Sequence, residues 1–275
     1  SPYDLVEEDT AQHGSDAEYR PTRVGIDTLD EYFVARRSDK FWRGCNVTMP
    51  LKQAALQKSR LDWVVARAAM VGAVNTVVKK RGKLTGDNTD LAGFMEPLAS
   101  LMRTSHLFRM ARVIGTGGAA RAVVSELNRH EFAIVLAGRD RDKARPLLDK
   151  LAPRRRTGPE HHAIDIAHVT APTDFPFAAR EGYFNLVVNA SPLGMRGQPP
   201  LKFDWSTAPP GVIAYDIVTD PVETPFLREA EAAGHRTING LAMLVGQAAA
   251  AFEMFFGQPA PREHDTELRA LLTAK

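Results

Sequence analysis

The sequence predicts an α/β protein with two domains, the larger one a doubly wound parallel sheet and the smaller one discontinuous along the chain. Three observations lead to this fold class. Residues 111–139 read as strand, glycine turn, amphipathic helix and second strand, which is a βαβ unit. Strand-length apolar runs alternate with helical stretches after that unit. A nearly apolar helix stands close to the end of the chain.

The later elements of the larger domain continue this alternation. A helix is predicted at 142–151, and strands are predicted at 183–190 and 212–218. In a chain of βαβ units each crossover helix covers one face of the sheet, so the strands become buried and continuously apolar. We therefore expect residues 91–237 to form the doubly wound domain.

The first ninety residues lack the glycine turn and mix both kinds of element. The predicted strands are 17–24, 45–49 and 73–79, and the predicted helices are 27–37 and 53–70. The helix at 241–256 is apolar nearly all round and must be buried. The simplest arrangement returns it to the N-terminal segment. Residues 1–90, completed by 238–275, are then the smaller domain, with a cleft between it and the larger one.

Composition narrows the class of protein. The 275 residues are 44% hydrophobic and 25% charged, enough for a large buried core. The net charge of +2 comes from interspersed residues, so nothing favours a nucleic-acid or membrane partner. Cys45 is the single cysteine, which excludes an internal disulfide and a multi-cysteine zinc site. No metal site is expected, and the chain reads as a cytoplasmic protein because it shows no leader and no apolar span.

The glycine turn predicts a nucleotide site. Gly115, Gly117, Gly118 and Ala119 fit the pattern GxGxx(G/A), directly after a strand and at the start of a helix. Glycines there let the backbone approach a pyrophosphate, whose charge the helix N-terminus stabilises. The alternative is a merely tight turn. In this context the pattern favours dinucleotide binding by a Rossmann-type domain.

The end of the second strand indicates which dinucleotide. Arg139, Arg141 and Lys143 could surround the 2′-phosphate of NADP, whereas Asp140 leaves NAD open. A charged surface turn capped by Asp140 or Asp142 is the alternative. NADP is the expected cofactor, because a phosphate beside Arg139 gains charge-assisted hydrogen bonds.

Two segments of the N-terminal half carry candidate chemistry. In GCNVTMPLK (44–52) a strand ends near Pro50 and Lys52 follows it. In GDNTD (86–90) polar residues stand just before the larger domain. Reduction of a ketone by hydride needs a proton donor for the developing alkoxide, and a lysine beside a carboxylate supplies one. Lys52 and Asp90 are the candidates, although a lysine at a helix start ordinarily faces water.

Seven motifs occur together between positions 46 and 253. They are NVTMPLK (46–52), GAVNT (72–76), GDNTD with GF (86–94), GTGGAARA (115–122), NASPLGM (189–195), YD (215–216) and GLAMLVGQAAAAFE (240–253). In this order and spacing the chain resembles shikimate dehydrogenase. The resemblance implies reversible, NADPH-dependent reduction of 3-dehydroshikimate to shikimate in aromatic amino-acid biosynthesis.

The resemblance also implies roles for individual residues. Lys52 and Asp90 match the catalytic pair of the family. Thr48, Asn75, Asp90 and Gln247 match the residues that hold the substrate hydroxyls, and Tyr215 matches a tyrosine near the substrate ring. For Gln247 an amide bonded to its own helix is the alternative reading.

On the cofactor side the resemblance covers the remaining motifs. Asn189, Ser191 and Met195 match a loop along the nicotinamide, with ordinary packing at a strand end as the alternative. Gly240, the first residue of the C-terminal motif, is grouped with these cofactor-binding residues.

The chain departs from the family at three places. Ser1 and Pro2 match the last two residues of a motif GxPIxxSxSP, whose serines bind the substrate carboxylate in the family. The earlier residues of the motif are missing from the sequence, which indicates either a truncation or an N-terminus that does not function as it stands. Asp140 stands where the family has a threonine, and Thr219 replaces a frequent tyrosine. A quinate or aminoshikimate dehydrogenase, or a catalytically silent nucleotide-binding relative, therefore remain alternatives. A small-molecule substrate and a monomer or homodimer are expected.

Overall fold

The computed structural model describes residues 4–5, 17–57, 60–153, 158–169 and 182–273. The chain folds into two compact units. The first comprises Ser1–Thr89 and Ala248–Ala260, and the second comprises Asp90–Gln247 and Pro261–Lys275. Each unit is built from two separate segments of chain. The division into a substrate-binding and a dinucleotide-binding domain stays a prediction.

The first unit contains short strands and helices. Its strands are β1 (Asp4–Leu5), β2 (Thr22–Arg23), β3 (Gly44–Asn46), β4 (Trp63–Val64), β5 (Thr76–Lys80) and β6 (Lys83–Asp87). Its helices, apart from the C-terminal segment, are α1 (Leu29–Ser38), α2 (Leu51–Gln57) and α3 (Ala66–Val71). β1 and β2 pair antiparallel. The other strands form a sheet in the order β3-β5-β6-β4, in which β4 pairs parallel with β6 and the other pairings are antiparallel.

Two elements predicted for this unit are wrong. The single helix expected at 53–70 is split, because β4 stands between α2 and α3. Backbone hydrogen bonds from Asp62 N–H to Leu84 O and from Val65 N–H to Gly86 O, both 2.9 Å, hold this stretch against β6. The strand expected at 17–24 is reduced to the two residues of β2.

The second unit confirms the predicted doubly wound sheet. Its strands are β7 (Phe108–Ile114), β8 (Ala133–Gly138), β9 (His162–Asp165), β10 (Tyr183–Asn189), β11 (Ile213–Asp216) and β12 (Arg236–Ile238). They run parallel in the order β12-β11-β10-β7-β8-β9. The strand order reverses between the neighbours β7 and β10. The carboxyl ends of two such strands form the crevice in which open α/β sheets bind their ligands.

The helices that follow the first unit's segment are α4 (Asp90–Met95), α5 (Ala99–Met102), α6 (Gly118–Arg129), α7 (Arg141–Leu151), α8 (Pro225–Ala232), α9 (Gly240–Phe256) and α10 (Asp265–Thr273). α9 begins in the second unit and ends in the first. Among the described residues, no helix is both long and apolar enough to cross a bilayer.

The sheet separates two hydrophobic cores. Alternate residues of the central strand point to opposite faces, so Val113 joins one core and Ile114 the other. α6 and α7 cover the first face, and α8 covers the second together with Trp205. The first unit has its own core, in which Leu29 of α1 and Leu51 of α2 pack against Val77 of β5.

Candidate active site

The lysine motif forms a turn between β3 and α2. Leu51 N–H donates to Thr48 O at 2.8 Å, which closes the turn around the cis Met49–Pro50 bond. Lys52 thereby lies in the first turn of α2, where its side chain is half-buried. Its backbone carbonyl accepts from Val74 N–H at 2.8 Å. The start of the helix is therefore fixed to the GAVNT segment.

Asn46 ties the same turn to β5. Its Nδ2 donates to Thr76 Oγ1 at 3.2 Å, and its Oδ1 accepts from the hydroxyl of Tyr19. One residue further on, Val47 N–H donates to Asn75 O at 2.6 Å. The motifs at 46–52 and 72–76, which are separate in sequence, are neighbours in the first unit.

Asn75 joins the second motif to the third. Its Oδ1 accepts from Thr89 N–H at 2.7 Å and from Thr76 Oγ1 at 2.9 Å, and its Nδ2 donates to Thr89 Oγ1 at 3.1 Å. All three side chains are buried. The amide of Asn75 therefore fixes the residue that immediately precedes Asp90.

A second set of contacts holds the residues on the other side of Thr89. Arg67 of α3 makes a two-pronged ion pair with the buried Asp87, with its Nε 2.7 Å from Oδ1. Asp87 Oδ1 also accepts from Asn88 N–H at 2.7 Å, and Asn88 Nδ2 donates to Ala73 O at 3.0 Å. The GDNT segment is thus hydrogen-bonded along its whole length.

Asp90 and Gln247 lie on two helices that cross closely within the second unit. A Cβ added to Gly93 of α4 would lie 2.6 Å from Gln247 N, and one added to Gly246 would lie 3.0 Å from Gly93 Cα. Gln247 Nε2 donates to Leu244 O at 3.1 Å. This bond within its own helix is the one that the alternative to substrate binding expects. Lys52 belongs to the first unit and Asp90 to the second, so their pairing stays a prediction.

The glycine turn lies at the switch point of the parallel sheet. Gly115 has a φ of +117°, and a Cβ there would lie 2.6 Å from Ala190 O, which follows β10. Gly117 differs, because a Cβ on it would meet nothing within 4 Å. Backbone bonds from Gly115 N–H to Ala137 O and from Ala190 N–H to Ile114 O, both 2.8 Å, hold the turn between its neighbouring strands.

This turn fits a dinucleotide. Gly117 leaves open space next to the N-terminus of α6, a helix of 12 residues that begins at Gly118. A pyrophosphate there would accept hydrogen bonds from the first backbone N–H groups of the helix. Among the described residues there is no cluster of three histidine, cysteine or acidic side chains that could hold a metal ion.

The charged residues after β8 have distinct environments. Asp140 caps α7 by accepting from Asp142 N–H at 3.0 Å and Lys143 N–H at 3.2 Å. Its Oδ2 is also 3.1 Å from Lys143 Nζ, and these bonds from Lys143 keep the pKa of Asp140 below its ordinary value. Arg139 is exposed. The acid is therefore engaged by its own helix, as the alternative reading of Asp140 expects.

The loop after β10 is ordered by Asn189. This buried side chain donates to Leu193 O at 2.8 Å and to Asp216 Oδ1 at 3.0 Å. Its Oδ1 accepts from Ser191 N–H at 3.1 Å and Ser191 Oγ at 2.7 Å. Met195, at the end of the motif, is half-buried and donates its N–H to Pro192 O. The structure therefore brings Asn189 and Ser191 together at the carboxyl edge of the sheet, next to the glycine turn.

Tyr215 and Gly240 are both tightly packed. Tyr215 is fully buried and its ring stacks on Phe94 at 5.1 Å between centroids, and burial raises the pKa of its phenol well above the usual range. A Cβ on Gly240 would lie 2.2 Å from Val218 O, so this position accepts only glycine without movement of the backbone. Ser1 lies outside the described residues.

The structure also shows residues that sequence reasoning missed. Thr76 and Thr89 hold Asn75. Asp216 holds Asn189, and Thr224 in turn holds Asp216. Thr224 had a local signal, because a threonine before a proline is a typical start of a helix. The bond between Asn75 and Thr89 had none, since it depends on how the strands pair.

Comparisons with known proteins agree with this site. A family model described as the shikimate dehydrogenase substrate binding domain matches residues 1–77, and one described as the shikimate 5′-dehydrogenase C-terminal domain matches residues 240–267. A relative from Sphingopyxis alaskensis named shikimate dehydrogenase (NADP(+)) is 42% identical over 263 residues, which cover 95% of this chain and 88% of that protein.

The comparison with solved structures agrees with the comparison of sequences. The shikimate 5-dehydrogenase of Thermus thermophilus, in complex with NADP(H) and shikimate, is 32% identical with a TM-score of 0.69, and the match covers 90% of this chain and 83% of that one. A quinate dehydrogenase from Corynebacterium glutamicum in complex with NAD is 31% identical with a TM-score of 0.72 and the same coverage of both chains. The predicted family is confirmed: the chain belongs to the shikimate dehydrogenase family.

Proposed function

We propose that this protein is an NADP-dependent dehydrogenase that reversibly reduces 3-dehydroshikimate to shikimate. The observation that carries the proposal is the glycine turn at the switch point of the parallel sheet, with open space at Gly117 beside the N-terminus of α6. That arrangement suits a dinucleotide pyrophosphate. The relative from Sphingopyxis alaskensis, named for shikimate and NADP(+), supports the choice of substrate and cofactor.

The choice of NADP over NAD is supported by the charges after β8. Asp140 is engaged as the cap of α7 and by Lys143, whereas Arg139 is exposed and available for a 2′-phosphate. Gly138, the residue before Arg139, lies against Thr116 of the glycine turn, since a Cβ on it would be 3.0 Å from Thr116 Cγ2. A phosphate on the adenosine ribose would therefore lie near a cation and not near a free carboxylate.

We assign the acid-base step to Lys52 and Asp90. When bound, NADPH supplies the hydride that reduces the ketone carbon. Lys52 then donates a proton to the developing alkoxide, and Asp90 orients the lysine side chain. The position of Lys52 in the first turn of α2, with its carbonyl bonded to Val74 N–H, fixes the backbone from which the ammonium extends.

The substrate contacts are assigned to Thr48, Asn75, Tyr215 and Gln247, with Ser1 for the carboxylate. The first two lie on segments that are hydrogen-bonded to each other through Val47 and Asn75. Gly115, Gly117, Gly118, Ala119, Arg139 and Lys143, with Asn189, Ser191, Met195 and Gly240, are assigned to the cofactor. Action in the cytoplasm, as a monomer or homodimer without a nucleic-acid partner, stays a prediction.

An initial-rate comparison tests the proposal. Oxidation of shikimate and of quinate is measured with NADP and with NAD, by the absorbance of the reduced nicotinamide. We expect the highest kcat/KM with shikimate and NADP. Preference for quinate with NAD would contradict it, and so would NADPH binding, seen by fluorescence, without turnover of any of these acids.

A further inference from the structure

Asp216 is a buried carboxylate at the carboxyl end of β11, and among the described residues it accepts hydrogen bonds from the end of β10 and from the segment that follows β11. Its side chain is 0% exposed. Oδ1 accepts from Asn189 Nδ2 and from Val218 N–H, both at 3.0 Å, and Oδ2 accepts from Thr224 Oγ1 at 2.7 Å. Burial raises the pKa of the Asp216 carboxyl, and the hydrogen bonds from Thr224, Val218 and Asn189 oppose that rise.

The first of these partners controls the loop after β10. Asn189 can hold Ser191 through its Oδ1 only while its amide is oriented with Nδ2 towards Leu193 O and Asp216. An amide has two chemically different ends, and the carboxylate of Asp216 accepts only from the NH₂ end. Asp216, together with the carbonyl of Leu193, therefore selects the orientation of Asn189 that places the Ser191 hydroxyl.

The other two partners control the segments after β11. Val218, whose N–H is bonded to Asp216, packs its carbonyl against Gly240 at the start of α9. Thr224 caps α8, accepting from Leu227 N–H at 3.3 Å. A Cβ on Gly194, in the loop after β10, would lie 3.6 Å from Thr224 Cβ. The Asp216 carboxylate thus bonds directly to the end of β10, to Val218 and to the start of α8. Through Val218 it also connects to the start of α9.

We infer that Asp216 is a positioning residue for the nicotinamide cofactor, acting through the Asn189–Ser191 loop and the Val218–Gly240 contact. The inference rests on the proposed function, which assigns these segments to NADP. Asp216 is 0% exposed, so it acts through its hydrogen-bond partners. Removal of the Asp216 carboxylate should weaken cofactor binding more than substrate binding. Loss of a residue that only stabilised the fold would change the affinities for cofactor and for substrate by the same factor.

The first test is Asp216→Asn. The new amide keeps an oxygen for Asn189 and Val218 but turns an NH₂ towards Thr224 Oγ1, so the Thr224 hydroxyl loses the acceptor to which it donates. We expect the Kd of NADPH, measured by fluorescence titration, to rise about tenfold, because a hydrogen bond to a charged group is lost. The KM of shikimate at saturating NADP should stay within about twofold of the wild-type value.

Two further variants separate positioning from stability. Thr224→Val removes the donor to Asp216 and should raise the Kd of NADPH. Thr224→Ser keeps the hydroxyl, so its Kd of NADPH should equal that of the wild type. Asp204→Asn is the matched control, because Asp204 is an exposed carboxylate that also caps a short helix, through Ser206 N–H at 3.0 Å. This control should leave both affinities unchanged.

Each outcome of these measurements either supports or overturns the inference. An unchanged Kd of NADPH in Asp216→Asn, with a lowered thermal midpoint, would overturn the inference in favour of a structural role. If that variant does not fold, the two Thr224 variants decide on the same measurement. Failure of the wild-type protein to bind NADPH would overturn both proposals, whereas binding without turnover would overturn the proposed function alone, because the Kd comparison needs no turnover.

Discussion

Asn75 and Thr89, the residue before the last of the GDNTD segment, are joined by two hydrogen bonds. Thr89 N–H donates to Asn75 Oδ1 at 2.7 Å, and Asn75 Nδ2 donates to Thr89 Oγ1 at 3.1 Å. Both residues are at most 2% exposed, so water does not compete for these bonds. The pair fixes the backbone immediately before Asp90. The Asn75 amide, to which the family resemblance gives a substrate-binding role, therefore also has a structural role.

Thr89→Val should destabilise the protein. Valine preserves the shape but removes the acceptor for Asn75 Nδ2, and loss of a partner in a buried pair costs about 1–3 kcal/mol. The free energy of unfolding, from urea denaturation, should fall by that amount. Thr273→Val is the control, because Thr273 is exposed and its hydroxyl donates to Arg269 O of its own helix. Equal unfolding free energies for both variants would show that the pair contributes nothing.

Lys52→Ala should reduce turnover with the fold intact. Loss of the proposed proton donor lowers kcat by about two to four orders of magnitude, the usual size of an acid-base contribution. Continuous assays with shikimate and NADP measure it, and thermal unfolding reports the fold. Lys40→Ala serves as control, because Lys40 is exposed in the same unit. Near-normal kcat in Lys52→Ala would remove the lysine from the mechanism.

The glycine turn and its flanking strands were predictable because their signals are local. The apolar runs of β7 and β8, with glycines between them, define the βαβ unit without reference to the rest of the chain. β4 was not predictable in this way. Its two residues, Trp63 and Val64, are a strand only because β6 offers them a parallel partner.

The site residues show the same difference between local sequence signals and contacts that depend on strand pairing. Lys52, Asp90 and Arg139 stand out by residue type and by position after a strand or before a domain. Thr89 and Asp216 act through partners 14 and 27 positions away, Asn75 and Asn189. No pattern in the sequence joins those pairs. Strand pairing brings them together, so the contacts that support the site appear only in the folded chain.

Lys79→Met should destabilise the first unit through α1. The Lys79 ammonium donates to the carbonyls of Asp39, Arg36 and Arg37 at the end of that helix, where backbone oxygens lack helical partners. We expect a loss of about 1–2 kcal/mol in the free energy of unfolding. Lys80→Met is the matched control, since Lys80 is exposed on the same strand. A loss of equal size in the control would refute the capping role.

Acid should destabilise the protein partly through Asp62. Arg37 donates to both oxygens of this carboxylate, at 2.6 and 2.5 Å, and Leu84 N–H donates to Oδ2 at 2.7 Å. The Arg37 bond, with that from Leu84, lowers the pKa of Asp62 in the folded state. A lowered pKa gives stability above the unfolded value of about 4, and this stability is lost as the pH falls through the folded pKa.

Asp62→Asn should therefore flatten the decline of the thermal midpoint below a pH of about 4. The midpoint of the variant should also be lower than that of the wild type at neutral pH, where the carboxylate is charged and bonded. Asp27→Asn is a control in the same unit, because Asp27 is exposed. Identical pH profiles for the wild type and Asp62→Asn would contradict the linkage.

Two glycine substitutions should separate cofactor binding from folding. A Cβ on Gly117 meets nothing within 4 Å, and its φ of −76° suits any residue, so Gly117→Ala should leave the free energy of unfolding within about 0.5 kcal/mol. The same methyl group occupies the space proposed for the pyrophosphate, so the Kd of NADPH should rise at least about tenfold.

Gly240→Ala is the counterpart. Its Cβ would lie 2.2 Å from Val218 O, a backbone atom that cannot rotate away, so the free energy of unfolding should fall by about 1–3 kcal/mol. Gly25→Ala is the control for both, because a Cβ there makes only an ordinary contact of 3.4 Å with Thr28 Oγ1. Loss of stability in Gly117→Ala, or unchanged NADPH binding in that variant, would show that the open space at the glycine turn is not where the pyrophosphate binds.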